Sequence, residues 1–77
     1  MKNGEYKQYY STGQLYLVCN YINDVKDGDS YQYYENGKLF ISSTYINGKL
    51  EGEVRVYSDN GVLSELLYYK NNIKIAY

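Results

Sequence analysis

The residues that usually carry chemistry are sparse in this chain. It contains no histidine, which removes the common nucleophile–base triads, HExxH zinc sites and most imidazole acid–base schemes. Ser11, Ser42, Ser43, Ser58 and Ser64 have no neighbouring base in sequence to activate them, and no GxGxxG or phosphate-cradling GxxxxGK loop occurs. Asp24, Asp27 and Asp29 gather around Gly28 and raise the question of calcium. Placing Asp27-Gly28 at the fifth and sixth positions of an EF-hand loop puts Val25 at the third position and Tyr34 where the bidentate glutamate belongs. Solvated turn acids account for the cluster better than a metal does. Cys19 is the only cysteine, so no intrachain disulfide can form. It takes a slot filled elsewhere by Ser43 and Leu67, which fits a small packed residue better than a reactive thiol. Neither a catalytic residue, a cofactor nor a metal site is expected.

What remains is aromatic surface. Thirteen tyrosines stand beside one phenylalanine, Phe40, and no tryptophan. Apolar area therefore mostly ends in a hydroxyl that needs water or a partner, which suits a thin sheet with two half-wet faces. Eight basic residues against nine acidic ones give a formal net charge of −1. The basic residues never cluster, so nucleic acid and anionic membrane, which require grouped positive charge, are poor partners. No segment approaches the length of an apolar membrane span, and the first residues lack the apolar stretch of a signal peptide. The default expectation is a soluble cytoplasmic protein; export would fit a fragment whose signal has been removed.

The elements that position these tyrosines follow from an internal repeat. Gly4, Gly28 and Gly52 recur every 24 residues, as do Gly13/Gly37/Gly61, Tyr9/Tyr33/Tyr57, Leu15/Leu39/Leu63 and Tyr21/Tyr45/Tyr69, with no insertion. The repeats run 4–27, 28–51 and 52–75 within a single domain, 1–77. Each reads as strand, tight turn, strand, second turn. Tyrosine-rich segments such as Tyr31-Gln32-Tyr33-Tyr34 run into Thr12-Gly13, Asn36-Gly37 or Asn60-Gly61, which are hairpin signals. The second turns hold Asn23-Asp24, Asn47-Gly48 and Asn71-Asn72. Proline is absent, so every strand can donate to a ladder. The expected fold is all-β: a single-layer antiparallel meander of six strands, with Ile73–Tyr77 adding a short seventh.

Side-chain direction selects the hairpin loop. A three-residue loop of Glu35-Asn36-Gly37, closed by a left-handed glycine, pairs Tyr34 with Lys38 and so Tyr33 with Leu39. This predicts one shared face for a structural spine of Tyr9, Leu15, Tyr21, Tyr33, Leu39, Tyr45, Tyr57, Leu63 and Tyr69. The other face would carry Tyr6, Tyr10, Tyr16, Tyr34 and Phe40, the candidate partner-binding residues, because tyrosine supplies rigid amphipathic contact area.

The runs Tyr33-Tyr34-Glu35-Asn36-Gly37-Lys38-Leu39 and Tyr45-Ile46-Asn47-Gly48-Lys49-Leu50-Glu51-Gly52 resemble the bacterial MORN-variant repeat. Asp24 and Asn72 depart from its pattern at the second-turn glycine, and Ala76 stands where a fourth unit would open with glycine. The resemblance implies an extended sheet used for protein or membrane association, without catalytic residues. Some members are antitoxin components, which makes a toxin–antitoxin or immunity pairing the finer expectation. The aromatic hairpin repeats of cell-wall and glucan-binding modules are the second resemblance, although those favour tryptophan and a shorter repeat. A lipid-surface module ranks third. The expected partner is a protein, with a homodimer through an edge strand or the aromatic face as one form.

Overall fold

The structure, a computed structural model, describes residues 2–75. Among the described residues nine strands form one open antiparallel sheet: β1 (Gly4–Tyr9), β2 (Leu15–Ile22), β3 (Val25–Lys26), β4 (Gly28–Tyr33), β5 (Leu39–Ile46), β6 (Lys49–Leu50), β7 (Gly52–Tyr57), β8 (Leu63–Lys70) and β9 (Ile73–Ile75). The order is β1-β2-β4-β5-β7-β8-β9, with β3 on β2 and β6 on β5. The single-layer meander expected from the repeat is therefore present, and its overall extents are 37 × 33 × 12 Å. The strand count exceeds the six or seven expected because each second turn is itself a short hairpin. The residues after it, Val25-Lys26 and Lys49-Leu50, pair before the glycine that opens the next unit. Ile73–Ile75 pairs with β8 in the same way, whereas Ala76 and Tyr77, the end of the predicted seventh strand, lie outside the described residues.

The first turns are the three-residue loops that the pairing argument selects. The Tyr34 amide donates to the Lys38 carbonyl at 2.9 Å, and the Gly37 amide to the Tyr34 carbonyl at 2.9 Å, with Gly37 left-handed at φ 89°. The second turns are two-residue loops with both residues left-handed, the geometry that matches strand twist. Asn23-Asp24 has φ of 51° and 68°, Asn47-Gly48 56° and 83°, and Asn71-Asn72 54° and 71°. Asp24 and Asn72 thus adopt the conformation of the glycine they replace, as their short polar side chains allow.

A second irregularity changes the faces. Along β1 and β2 the partners run Tyr6↔Cys19 and Gln8↔Leu17, then jump to Tyr9↔Leu15, leaving Tyr16 without an opposite number. The same bulge skips Phe40 in β5 and Ser64 in β8. An extra residue reverses the parity of everything beyond it. The predicted spine therefore does not share one face. Tyr9, Leu15, Tyr33, Leu39, Tyr57 and Leu63 lie on one side, while Tyr21, Tyr45 and Tyr69, opposite Gly4, Gly28 and Gly52, lie on the other. Tyr9 is 59% exposed and Leu63 46%, so these positions do not form a core.

Burial is concentrated instead along the middle of the Tyr21/Tyr45/Tyr69 side. Among the described residues Cys19, Ser30, Ser43 and Val54 are the buried ones, with Cys19 only 1% exposed. They belong to equivalent cross-strand pairs: Tyr6↔Cys19, Ser30↔Ser43 and Val54↔Leu67. Small side chains become buried in a one-layer sheet when taller neighbours lean over them. Cross-strand side-chain contact replaces the second layer that an ordinary domain would use.

Candidate functional site

The buried row is the floor of a recurring slot built from four equivalent positions. In the first unit the slot is full. The Tyr6 and Tyr21 rings meet edge-on with centroids 5.8 Å apart and planes at 85°. The Lys2 ammonium lies 4.7 Å from the Tyr6 centroid and 4.9 Å from that of Tyr21, a distance at which the cation is drawn to the ring faces. In the second slot Lys26 keeps the linker's place 4.9 Å over Tyr45, but Ser30 stands where Tyr6 stood. In the third slot the corresponding residues are Leu50, Val54 and Tyr69. A groove of about 290 Å³ opens across the second and third units, lined in part by Lys26, Ser30, Ser43, Tyr45, Val54 and Tyr69.

The linker residue of each slot is held by the turn that follows. The Asp24 amide donates to the Lys2 carbonyl at 2.9 Å, Gly48 to Lys26 at 2.7 Å and Asn72 to Leu50 at 3.0 Å. Lys2, Lys26 and Leu50 thereby project from a fixed backbone. The left-handed turns and the slots are therefore one device repeated three times.

Four of the five candidate aromatics lie at the hairpin-loop end of the sheet. Tyr10 and Tyr16 meet at 5.1 Å and 64°, and Tyr34 and Phe40 at 4.5 Å and 38°. Continuing the alternation of β1 and β4 places Tyr10 and Tyr34 on the groove face, with Tyr6. Their hydroxyls are committed to the neighbouring unit: Tyr10 donates to the Tyr33 carbonyl and Tyr34 to the Tyr57 carbonyl, both at 2.7 Å. Burial, foremost, raises the Tyr10 phenol above its ordinary pKa, with the negative charge of Glu35 and the neighbouring Tyr16 and Tyr34 phenols adding to the effect. Tyr6, the fifth candidate, sits apart in the first slot. These aromatics thus combine an internal stapling role with a partly open surface.

The acidic cluster is spent on backbone and hydroxyl partners. Asp24 accepts from the Lys2 amide, Asp27 from the Asn47 amide at 3.1 Å and Asp29 from the Thr44 hydroxyl at 3.2 Å. Among the described residues no three of His, Cys, Asp or Glu come together as a metal-holding group. Cys19 is buried opposite Tyr6.

A family model described as a MORN repeat variant matches residues 2–23, 26–47 and 50–71. The chain belongs to this family. Each MORN match opens on a slot linker residue, Lys2, Lys26 or Leu50, and closes on the first left-handed residue of the second turn, Asn23, Asn47 or Asn71. The matched segment thus carries one whole slot. MORN repeats form a non-catalytic module that generally binds protein or lipid. Among curated proteins and among solved structures nothing matches significantly.

The slot itself was not foreseen from the sequence. Its signal was available in the repeat alignment, where the position of Tyr6, Ser30 and Val54 changes character from unit to unit while Tyr21, Tyr45 and Tyr69 do not. The candidate set followed the abundant aromatics rather than the place where one is missing.

Proposed function

We propose that this MORN-variant chain is a non-enzymatic interaction module that engages a protein partner through its groove face. The observation that carries the reading is the groove itself, floored by Ser30 and Ser43 and walled by Tyr45 and Tyr69 on the face that also presents Tyr10, Tyr16, Tyr34 and Phe40. A buried, small-residue floor with rigid aromatic walls is the form in which interface anchors are accepted. The sheet outline of 37 × 33 Å has room for the roughly 800 Å² per partner of a standard interface. Scattered basic residues disfavour an anionic membrane as the principal target. The finer reading that the resemblance suggests is that this chain is the antitoxin or immunity member of a pair, with a toxin as its partner.

The test compares partner capture from the native cell by the intact chain and by two charge variants on adjacent residues. Ile41 faces the groove and Ser42 the reverse side. Capture lost with Ile41→Glu but retained with Ser42→Glu is the expected result. Equal loss, or loss only with Ser42→Glu, overturns the assignment of the face. Saturable binding to cell-wall or glucan fragments would favour the glycan class instead. Sedimentation of the intact chain at micromolar concentration shows whether a second copy, through an edge strand or the aromatic face, is itself the partner.

A further inference from the structure

The three units are internal controls for one another, and the comparison identifies what the groove lacks. In the first slot an aromatic ring, Tyr6, rises from the strand opposite Cys19, meets Tyr21 edge-on and lies beneath the Lys2 ammonium. In the second slot the surroundings are retained: Ser30 opposite Ser43 at the floor, Tyr45 equivalent to Tyr21, and Lys26 equivalent to Lys2 and still over its tyrosine at 4.9 Å. The ring is absent and Ser43 replaces Cys19 at the floor, and the groove takes in that place. Its volume of about 290 Å³ is at the lower limit of the ~300–1,000 Å³ typical of ligand pockets, a size for one or two side chains.

We infer that the groove is a receptor for a single aromatic side chain from the partner protein, which inserts between Lys26, Tyr45 and the Ser30–Ser43 floor and completes the arrangement that Tyr6 makes internally in the first unit. This rests on the proposed protein-binding reading and specifies its anchor. The ring meets the Tyr45 edge and the Lys26 cation at its face, two contacts that an aliphatic side chain of equal size does not reproduce. Ser30 and Ser43 are 5% and 8% exposed, so the floor is already largely withdrawn from water before the partner arrives. Leu50 and Val54 of the third slot add apolar lining.

The test uses p-cresol, the tyrosine side chain without its backbone, against cyclohexanol as the aliphatic control. Amide resonances of the nitrogen-labelled chain are followed during each titration. Expected is saturable millimolar binding of p-cresol with shifts centred on Ser30, Ser43, Tyr45 and Val54, and much weaker binding of cyclohexanol. Ser30→Tyr, which restores the residue of the first unit, fills the slot from within; it raises the thermal midpoint and weakens p-cresol binding by about tenfold or more. Ser43→Leu, carrying the side chain of Leu67 at the equivalent position, fills the floor independently should Ser30→Tyr fold poorly. Peptides selected on the intact chain by display share one aromatic anchor and bind both filled variants at least about tenfold more weakly. Equal binding of cyclohexanol, shifts away from the groove, or undiminished binding to a folded filled variant overturns the inference. Peptides that lack an aromatic anchor yet are lost with Ile41→Glu overturn it while leaving the protein-binding face in place; failure of any partner or peptide to depend on Ile41 removes that broader reading as well.

Discussion

The Tyr34 hydroxyl donates to the Tyr57 carbonyl at 2.7 Å, one repeat further along the chain, and Tyr10 makes the same bond to Tyr33. Tyrosine here joins successive hairpins at their loop end, where the third unit has Ser58 and the staple stops. Tyr34→Phe keeps the ring against Phe40 and removes only the bond. It should cost about 0.5–1.5 kcal/mol in urea melts. Tyr10→Phe should lower stability in the same direction. A variant as stable as its parent would show that the ring contact, not the hydroxyl, holds these units together.

The raised Tyr10 phenol gives stability a pH dependence of definite sign. Its proton is held more tightly in the folded chain than in the unfolded one, so its contribution is fully present below the usual phenol value of about 10 and is lost as pH rises through the higher folded value. Urea melts at increasing alkaline pH should show a steeper loss for the intact chain than for Tyr10→Phe. Parallel curves would contradict the assignment.

Gly48 is the second-turn residue least able to accept a side chain. It is left-handed at φ 83°, and a Cβ there would come within 2.9 Å of the Val25 Cγ1. The backbone conformation alone costs an alanine about 1–2 kcal/mol. Gly48→Ala should therefore destabilise by at least that amount, and Val25→Ala in the same chain should relieve the steric part while leaving the conformational part. A double-mutant cycle measures the coupling.

Truncation costs should follow burial rather than the repeat consensus. Val54 is 7% exposed and Leu63 46%. Val54→Ala removes two methyl groups from a buried position beside the groove and should cost about 1.5–3 kcal/mol. Leu63→Ala, although it alters the more regularly repeated position, should cost less. The reverse order in chemical denaturation would mean that the Tyr57/Leu63 side is the covered one.

The sequence by itself determined the hairpins, their period and the turns, because these depend on local signals. Glycine in Thr12-Gly13 or Asn36-Gly37 answers a local need for left-handed backbone, and recurrence without insertion imposes one structure three times. It did not determine which residues share a face. Pairing Tyr33 with Leu39 was correct, but the bulge at Phe40 inserts one residue into the return strand and sends Tyr45 to the opposite side. Nothing in the local pattern of Leu39-Phe40-Ile41 announces that bulge; it is decided by how two strands align along their whole length. The groove is one step further removed. It exists because Ser30, Ser43, Tyr45 and Val54, separated in the chain, are brought to one place by strand pairing, and because a ring present in one unit is absent from the next. Sequence specifies which residues fill each slot, but only the assembled sheet shows that one slot is left open.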